Sequence, residues 1–262
     1  MPRFAELFRE RKAIVGVIHL PPLPGYPASP GIEKVIEKAL RDLEALEAGP
    51  VDGVLVENEE DRPHRVEAAK ETVAAMTRVA RELVLKARRA VIGVEILLND
   101  PEASLAAASM SGASFIRTDY FVDPMARPEH GGPMRIDPEG LLRYRRSLGA
   151  DSVLILADVQ VKYAQMLVER SLSESARLAR EAGADAVVVT GTRTGEPPSV
   201  REIEAARQGA GEIPVLVGSG LSSSNAAALL RVANGAIVGT SLKRDDGIDR
   251  EKVRELLREV PR

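Results

Sequence analysis

Cysteine and tryptophan are absent from this 262-residue chain, histidine occurs three times, and aromatic residues make up 3%. Without cysteine there are no disulfides, no thiolate metal sites and no cysteine nucleophile. The histidines, His19, His64 and His130, show no H-x-x-H or H-E-x-x-H spacing, so the pattern of a dedicated zinc site is missing. No apolar run reaches ~18 residues, and the opening MPRFAELFRERKA is charged where a secretory leader is apolar. The expectation is a cytoplasmic protein without a membrane span. Charge of one sign is also lacking: 36 Lys and Arg against 39 Asp and Glu give a net −3, with no basic block suited to nucleic acid. The expected partner is a small molecule, and homo-oligomerisation stays open. No cofactor is called for, and a divalent cation is left open.

What is present is a regular alternation. Apolar, β-branched runs recur as AIVGVI (13–18), DGVLV (52–56), VIGVEI (91–96), SFIRT (114–118), SVLILA (152–157), DAVVVT (185–190), IPVLV (213–217) and GAIVG (235–239). Between them lie segments of helical period, most clearly Ile32, Val35, Ile36, Ala39, Leu40, Leu43 and Leu46, which form one apolar stripe. Asp100-Pro101, Asp137-Pro138 and Ser199 with Glu202 read as helix starts, because their side chains satisfy unpaired first-turn amides. Strands that are apolar throughout are buried on both faces, as parallel strands joined by helical crossovers must be. Eight such units predict one closed (β/α)8 barrel over residues 1–262. The runner-up, an open doubly wound sheet, lacks its usual G-x-G-x-x-G near the first strand, where GVIHLPPLPG stands instead.

In such a barrel the residues just after each strand share one rim, where active sites are assembled. The candidates are therefore His19, Glu57 and Asn58, Asn99 and Asp100, Asp119 preceded by Arg117, Asp158 and Lys162, Thr190 and Gly191, and two small turns, Gly218-Ser219-Gly220 and Gly239-Thr240-Ser241. Small turns after the last two strands aim backbone N–H groups at one point, which suits a phosphate; Thr190 and Gly191 add a third wall. Each glycine also reads as a turn residue alone. His19, Glu57, Asp158 and Lys162 are candidates for acid/base chemistry, with Asn58, Asn99 and Arg117 contacting substrate. The plainer alternatives are a structural histidine, a carboxylate paired with Arg117, and Asp100 as a helix cap. The segment TDYFVDPMARPEHGGPMRID reads either as a lid hinged at Gly131-Gly132 or as a surface loop.

GVIHLPPLPG (16–25), DGVLVEN (52–58), LLNDP (97–101), FIR (115–117), ADVQVK (157–162), VVVTGTRTG (187–195), PVLVGSG (214–220) and AIVGTSLK (236–243) together resemble the BtpA/SgcQ family over nearly the whole chain. The resemblance implies a TIM barrel akin to ribulose-phosphate-binding barrels. It also implies a link of some members to photosystem I biogenesis and of others to sugar metabolism. Thr118-Asp119 and Tyr163 depart from the family's common Val-Asn and His. Two functions follow as expectations: isomerase or lyase chemistry on a phosphorylated sugar or nucleotide, or a non-catalytic assembly factor. Phosphoribosylanthranilate isomerase is an analogue with a similar barrel and phosphate site, but that family uses a cysteine general base, which this chain lacks.

Overall fold

The structure is a computed structural model and describes residues 2–8 and 12–261. The strands are β1 (Ala13–His19), β2 (Gly53–Glu57), β3 (Val91–Glu95), β4 (Phe115–Thr118), β5 (Leu154–Val159), β6 (Ala186–Val189), β7 (Val215–Val217) and β8 (Gly235–Val238). They pair in parallel and in chain order, and β1 closes the ring against β8 through Ala13 beside Gly235. Both the barrel and the eight strand positions match the sequence reading. Helices α2 (Ile32–Glu47), α3 (Lys70–Lys86), α4 (Pro101–Ser111), α5 (Pro138–Ser147), α6 (Leu172–Glu181), α7 (Val200–Ala210) and α8 (Ala226–Val232) follow the strands in turn. Asp100, Asp137 and Ser199 cap α4, α5 and α7 through first-turn amides, and Ser199 with Glu202 forms a reciprocal capping box.

Strand residues alternate between two buried environments, because side chains on a strand point to opposite faces. Ile14, Val54, Ile92, Ile116, Ile155, Val187 and Val215 pack outward under the helices. Val15, Val17, Leu55, Phe115, Leu154, Leu156, Val188, Leu216 and Ile237 fill the barrel's interior. The preceding helix α1 (Pro2–Phe8) plugs the lower end, with Phe8 stacked edge-on to Phe115 at 5.7 Å. Glycine at 93 is obligatory there, since a Cβ would lie 2.1 Å from the Phe115 ring.

The same inward parity continues upward to the rim. His19 pairs beside Glu57 and Glu57 beside Glu95. Arg117 sits beside Leu156, and Asp158 beside Val188. A ring of polar side chains thus caps an apolar barrel. The long segment after β4 is an anchored element: Met125–Arg127 pairs antiparallel with both Gly132–Pro133 and Gln165–Met166. Leu98, Tyr120, Met125, Met134 and Val161 give it a small core of its own.

Helices α6 and α7 are closely packed, and Gly209 marks the contact: a Cβ there would lie 1.7 Å from the Ser173 carbonyl oxygen. Gly209→Ala is expected to destabilise the protein by about 3 kcal/mol, because backbone must move and the helix-propensity gain of ~1 kcal/mol is smaller. Urea denaturation with the transition midpoint as readout checks this.

Candidate active site

The rim encloses two joined lobes of ≈ 340 and ≈ 370 Å³, which share Glu57, Glu59, Arg117, Lys162 and Thr194. The first lies over the turns after β7 and β8. The second lies over β2 to β4 and is flanked by Arg127 of the small sheet and by His130, which ends the 3-10 turn after it.

In the first lobe, Gly220 adopts a left-handed φ of 66° and abuts the backbone of Pro197, where a Cβ would come within 2.2 Å. The Gly220 carbonyl accepts from Asn225 Nδ2, and Asn225 Oδ1 accepts from the Ser222 amide, which fixes the turn. The amides of Gly220, Leu221, Thr240 and Ser241 have no acceptor among the described residues. All four residues line this lobe, and free N–H groups at a turn are what an anion-binding concavity requires.

The hydroxyls of these turns brace the loops, so any anion contact from Ser219 and Ser241 falls to the backbone, as the sequence reading has it. Ser219 Oγ accepts from the Gly191 amide at 2.9 Å and donates to the Glu196 carbonyl at 2.7 Å. Ser241 Oγ donates to the Leu221 carbonyl, and Thr190 Oγ1 accepts from the Lys162 amide. Thr190 and Gly191 border neither lobe. Gly218 spends its amide on the Val189 carbonyl and leaves space beside Val188, which a Cβ would enter at 2.4 Å.

The second lobe is organised around Arg117, which is 5% exposed and faces four carboxylates. Its Nε and Nη2 donate to Asp158 Oδ1 and Oδ2 at 2.8 and 2.9 Å. Nη1 lies 3.5 Å from Glu57 Oε1 and 3.6 Å from Glu95 Oε2. Neither of those oxygens has a hydrogen-bond partner among the described residues. Burial opposes the Arg117 charge, but Asp158 and Glu95 outweigh it and keep the guanidinium firmly protonated. Burial first, then Asp119, Glu57 and Asp158, push Glu95 well above the ordinary carboxylate range against the pull of Arg117. Glu95 is therefore biased toward the neutral acid. Among the described residues, no group of three or more His, Asp or Glu side chains is placed to hold a metal ion.

His19 Nε2 stands 3.5 Å from Glu57 Oε2, while its Nδ1 meets Lys243 Nζ at 2.5 Å. Burial first, then Lys243, lower its pKa to about 4. Three further candidates border neither lobe, and Asp158 takes its plainer alternative, a carboxylate paired with Arg117. Asp158 is sealed behind Arg117 and borders neither lobe, so it positions the guanidinium. Asn58 is 1% exposed and ties loops together, donating to Asp61 and accepting from the Leu97 amide. Asn99 donates to the Arg135 carbonyl and borders a separate pocket near α4 and α5. Asp119 lines the second lobe 4.0 Å from Arg117, at the rim position expected after β4; conversely, Glu95, Leu221 and Asn225 line the lobes, and Lys243 meets His19, without having been singled out. Glu95 carried a usable signal, as the charged residue inside the apolar run VIGVEI.

Comparison with known proteins agrees with this architecture. A (S)-3-O-geranylgeranylglyceryl phosphate synthase from Thermoplasma acidophilum, solved with sn-glycerol-1-phosphate, superposes with a TM-score of 0.63 at 17% identity, over 98% of this chain and 96% of that one. N-(5'-phosphoribosyl)anthranilate isomerase from Pyrococcus furiosus superposes with a TM-score of 0.59 at 17% identity, covering 95% and 98%. At these identities the likeness is one of fold. In sequence, the chain is 38% identical to an uncharacterized protein of Archaeoglobus fulgidus over 250 residues, 94% of this chain and 98% of the relative. It is 39% identical to the photosystem I biogenesis protein BtpA of Synechocystis sp. over 252 residues, 93% of this chain and 85% of the relative. With the BtpA family model matching residues 10–262, the chain belongs to the BtpA family.

Proposed function

We propose that this barrel is an enzyme that holds a phosphorylated small molecule, a sugar phosphate or a nucleotide, and moves protons on it as an isomerase or lyase. One observation carries the reading: two adjacent lobes that share Glu57, Arg117 and Lys162 set backbone amides without an acceptor among the described residues at one end and the Arg117–Glu57–Glu95 cluster at the other. The Gly220, Leu221, Thr240 and Ser241 amides take the phosphate, and Lys162, bordering both lobes, lies between phosphate and reacting atoms. Glu57 removes a proton from carbon beside a carbonyl. The electron pair left behind forms a carbon–carbon double bond while the carbonyl oxygen takes a proton from neutral Glu95. Arg117 stabilises the negative charge that develops on that oxygen. When the deprotonated carbon carries a hydroxyl, that hydroxyl gives its proton back to the Glu95 carboxylate and becomes the new carbonyl while the former carbonyl carbon takes the proton held by Glu57, which completes an isomerisation. In a lyase reaction the enol proton returns to Glu95 as the carbonyl re-forms, the double bond shifts to the next carbon, and the leaving group there departs with its bonding electrons and the proton held by Glu57.

Thr240→Asp tests the phosphate end, because Thr240 is exposed and an added carboxylate beside the free amides competes with an anion. Inorganic phosphate is expected to raise the melting temperature of the unaltered protein, through binding to the folded state, and to lose at least tenfold in affinity in the variant. Equal affinity in the two proteins rejects the assignment. A second reading, an assembly factor, is favoured by the name of the Synechocystis relative. It places function on the exterior, where Leu85, Met110, Leu167 and Val168 are the large exposed aliphatic side chains among the described residues. Under that reading, changing Glu57 or Glu95 has no functional consequence.

A further inference from the structure

Lys243 has no part in the chemistry described above, yet it is held in place with some care. It begins a short hairpin in which Lys243–Arg244 pairs with Gly247–Ile248, just before helix α9 (Arg250–Arg258). The Lys243 carbonyl accepts from Lys252 Nζ at 2.6 Å, and the Ile248 amide donates to Asp42 Oδ1. These contacts deliver the Lys243 ammonium to Nδ1 of His19 at 2.5 Å. Burial first, then Lys38, lower the Lys243 pKa, but as long as the side chain keeps its proton it can only donate, and the contact then requires Nδ1 to be the ring's lone-pair nitrogen with the ring's single proton on Nε2. That nitrogen faces Glu57 across 3.5 Å, too far for a strong hydrogen bond. It also stands next to the turn at Gly239, where a Cβ would come within 3.3 Å of it.

We propose that Lys243 is a positioning residue that locks His19 as the neutral Nε2–H tautomer, making the imidazole a hydrogen-bond donor to a substrate oxygen beside Glu57. The inference rests on the acid/base reading of the site and assigns His19 a role that reading left open. A donor here polarises the same carbonyl that Glu95 protonates, and a neutral imidazole can do this without carrying charge into a buried site. The groups around the ring agree with neutrality. Lys243, Lys38 on α2 and Lys162 after β5 oppose a protonated ring, and burial opposes it more strongly, while Glu59 favours it. Glu57 on β2 lies nearest Nε2. Lys38 is itself neutralised by Asp42 at 2.7 Å and donates to the His19 carbonyl at 3.5 Å, which holds the backbone beneath the ring.

The test is long-range proton–nitrogen NMR of histidine-labelled protein, with His19 assigned from the signals lost in His19→Asn. The expected result is an Nε2–H tautomer at pH 7 and a titration midpoint near 4. In Lys243→Met the midpoint rises but stays below the ordinary value of about 6.5, because burial is the larger cause, and the second tautomer becomes populated. Lys243→Arg retains a donor and restores the single tautomer. A residue acting only in packing leaves tautomer and midpoint unchanged in Lys243→Met, and that result overturns the proposal. So does an Nδ1–H ring or a protonated ring at pH 7 in the unaltered protein, which decides the matter even if Lys243→Met does not fold. None of these readouts depends on turnover, so a failed phosphate-binding test and a failed tautomer test are distinguishable.

Discussion

Arg117→Met is expected to destabilise the protein by about 3–5 kcal/mol, the usual cost of removing one partner from a buried ion pair. Among the described residues Arg117 is the one cation in direct contact with all three of Glu57, Glu95 and Asp158, and it supplies both short side-chain hydrogen bonds of Asp158. Methionine fills similar volume, so the loss reports charge and hydrogen bonding more than packing. The defect has a pH sign. In the variant the buried carboxylates have folded-state pKa values raised above their unfolded ones, so the folded state binds more protons. Its stability then falls as pH rises through that range. The deficit relative to the unaltered protein is therefore larger at pH 8 than at pH 5, as urea denaturation at the two values will show. Adding Asp158→Asn to Arg117→Met removes the orphaned charge and recovers part of the loss; additive defects contradict the coupling described here.

Glu57→Gln is expected to lower turnover by about 10²–10⁴-fold, the ordinary contribution of a general base. Glu57 lies in register between His19 and Glu95 and borders both lobes. The amide keeps the shape but cannot take a proton from carbon. Its stability should be equal or greater, because one of four carboxylates crowded around one guanidinium loses its charge. That split between activity and stability separates a catalytic role from a structural one. Turnover within a few-fold of the unaltered protein places the base elsewhere.

The parts of the fold that depend on local chemistry were legible. Apolar runs bounded by polar turns located all eight strands, and Asp100, Asp137 and Ser199 marked helix starts because capping requires only neighbouring residues. The rim was legible only in part. Counting residues after each strand treated Glu57 and Asn58 alike, although side chains on adjacent strand positions face opposite ways. Glu57 consequently faces the cavity while Asn58 ties loops together behind it. Glu95 was hidden because an apolar run absorbed it, and only its register beside Glu57 reveals its place. Ser219, Ser241 and Thr190 sit where expected, but whether a hydroxyl faces ligand or backbone depends on loops distant in sequence, here Glu196, Leu221 and Lys162. Lys243 reaches His19 across 224 positions of sequence, a contact no local pattern encodes.

The central claim is that the phosphate corner and the Arg117 cluster work on one molecule. Incubating the purified protein with a pooled extract of phosphorylated metabolites, with and without a divalent metal, and following consumption by mass spectrometry tests it most directly. The account predicts that at least one phosphorylated compound is consumed by the unaltered protein, and that consumption is lost in both Thr240→Asp and Glu57→Gln. No consumption under either condition, or consumption that persists in both variants, contradicts it.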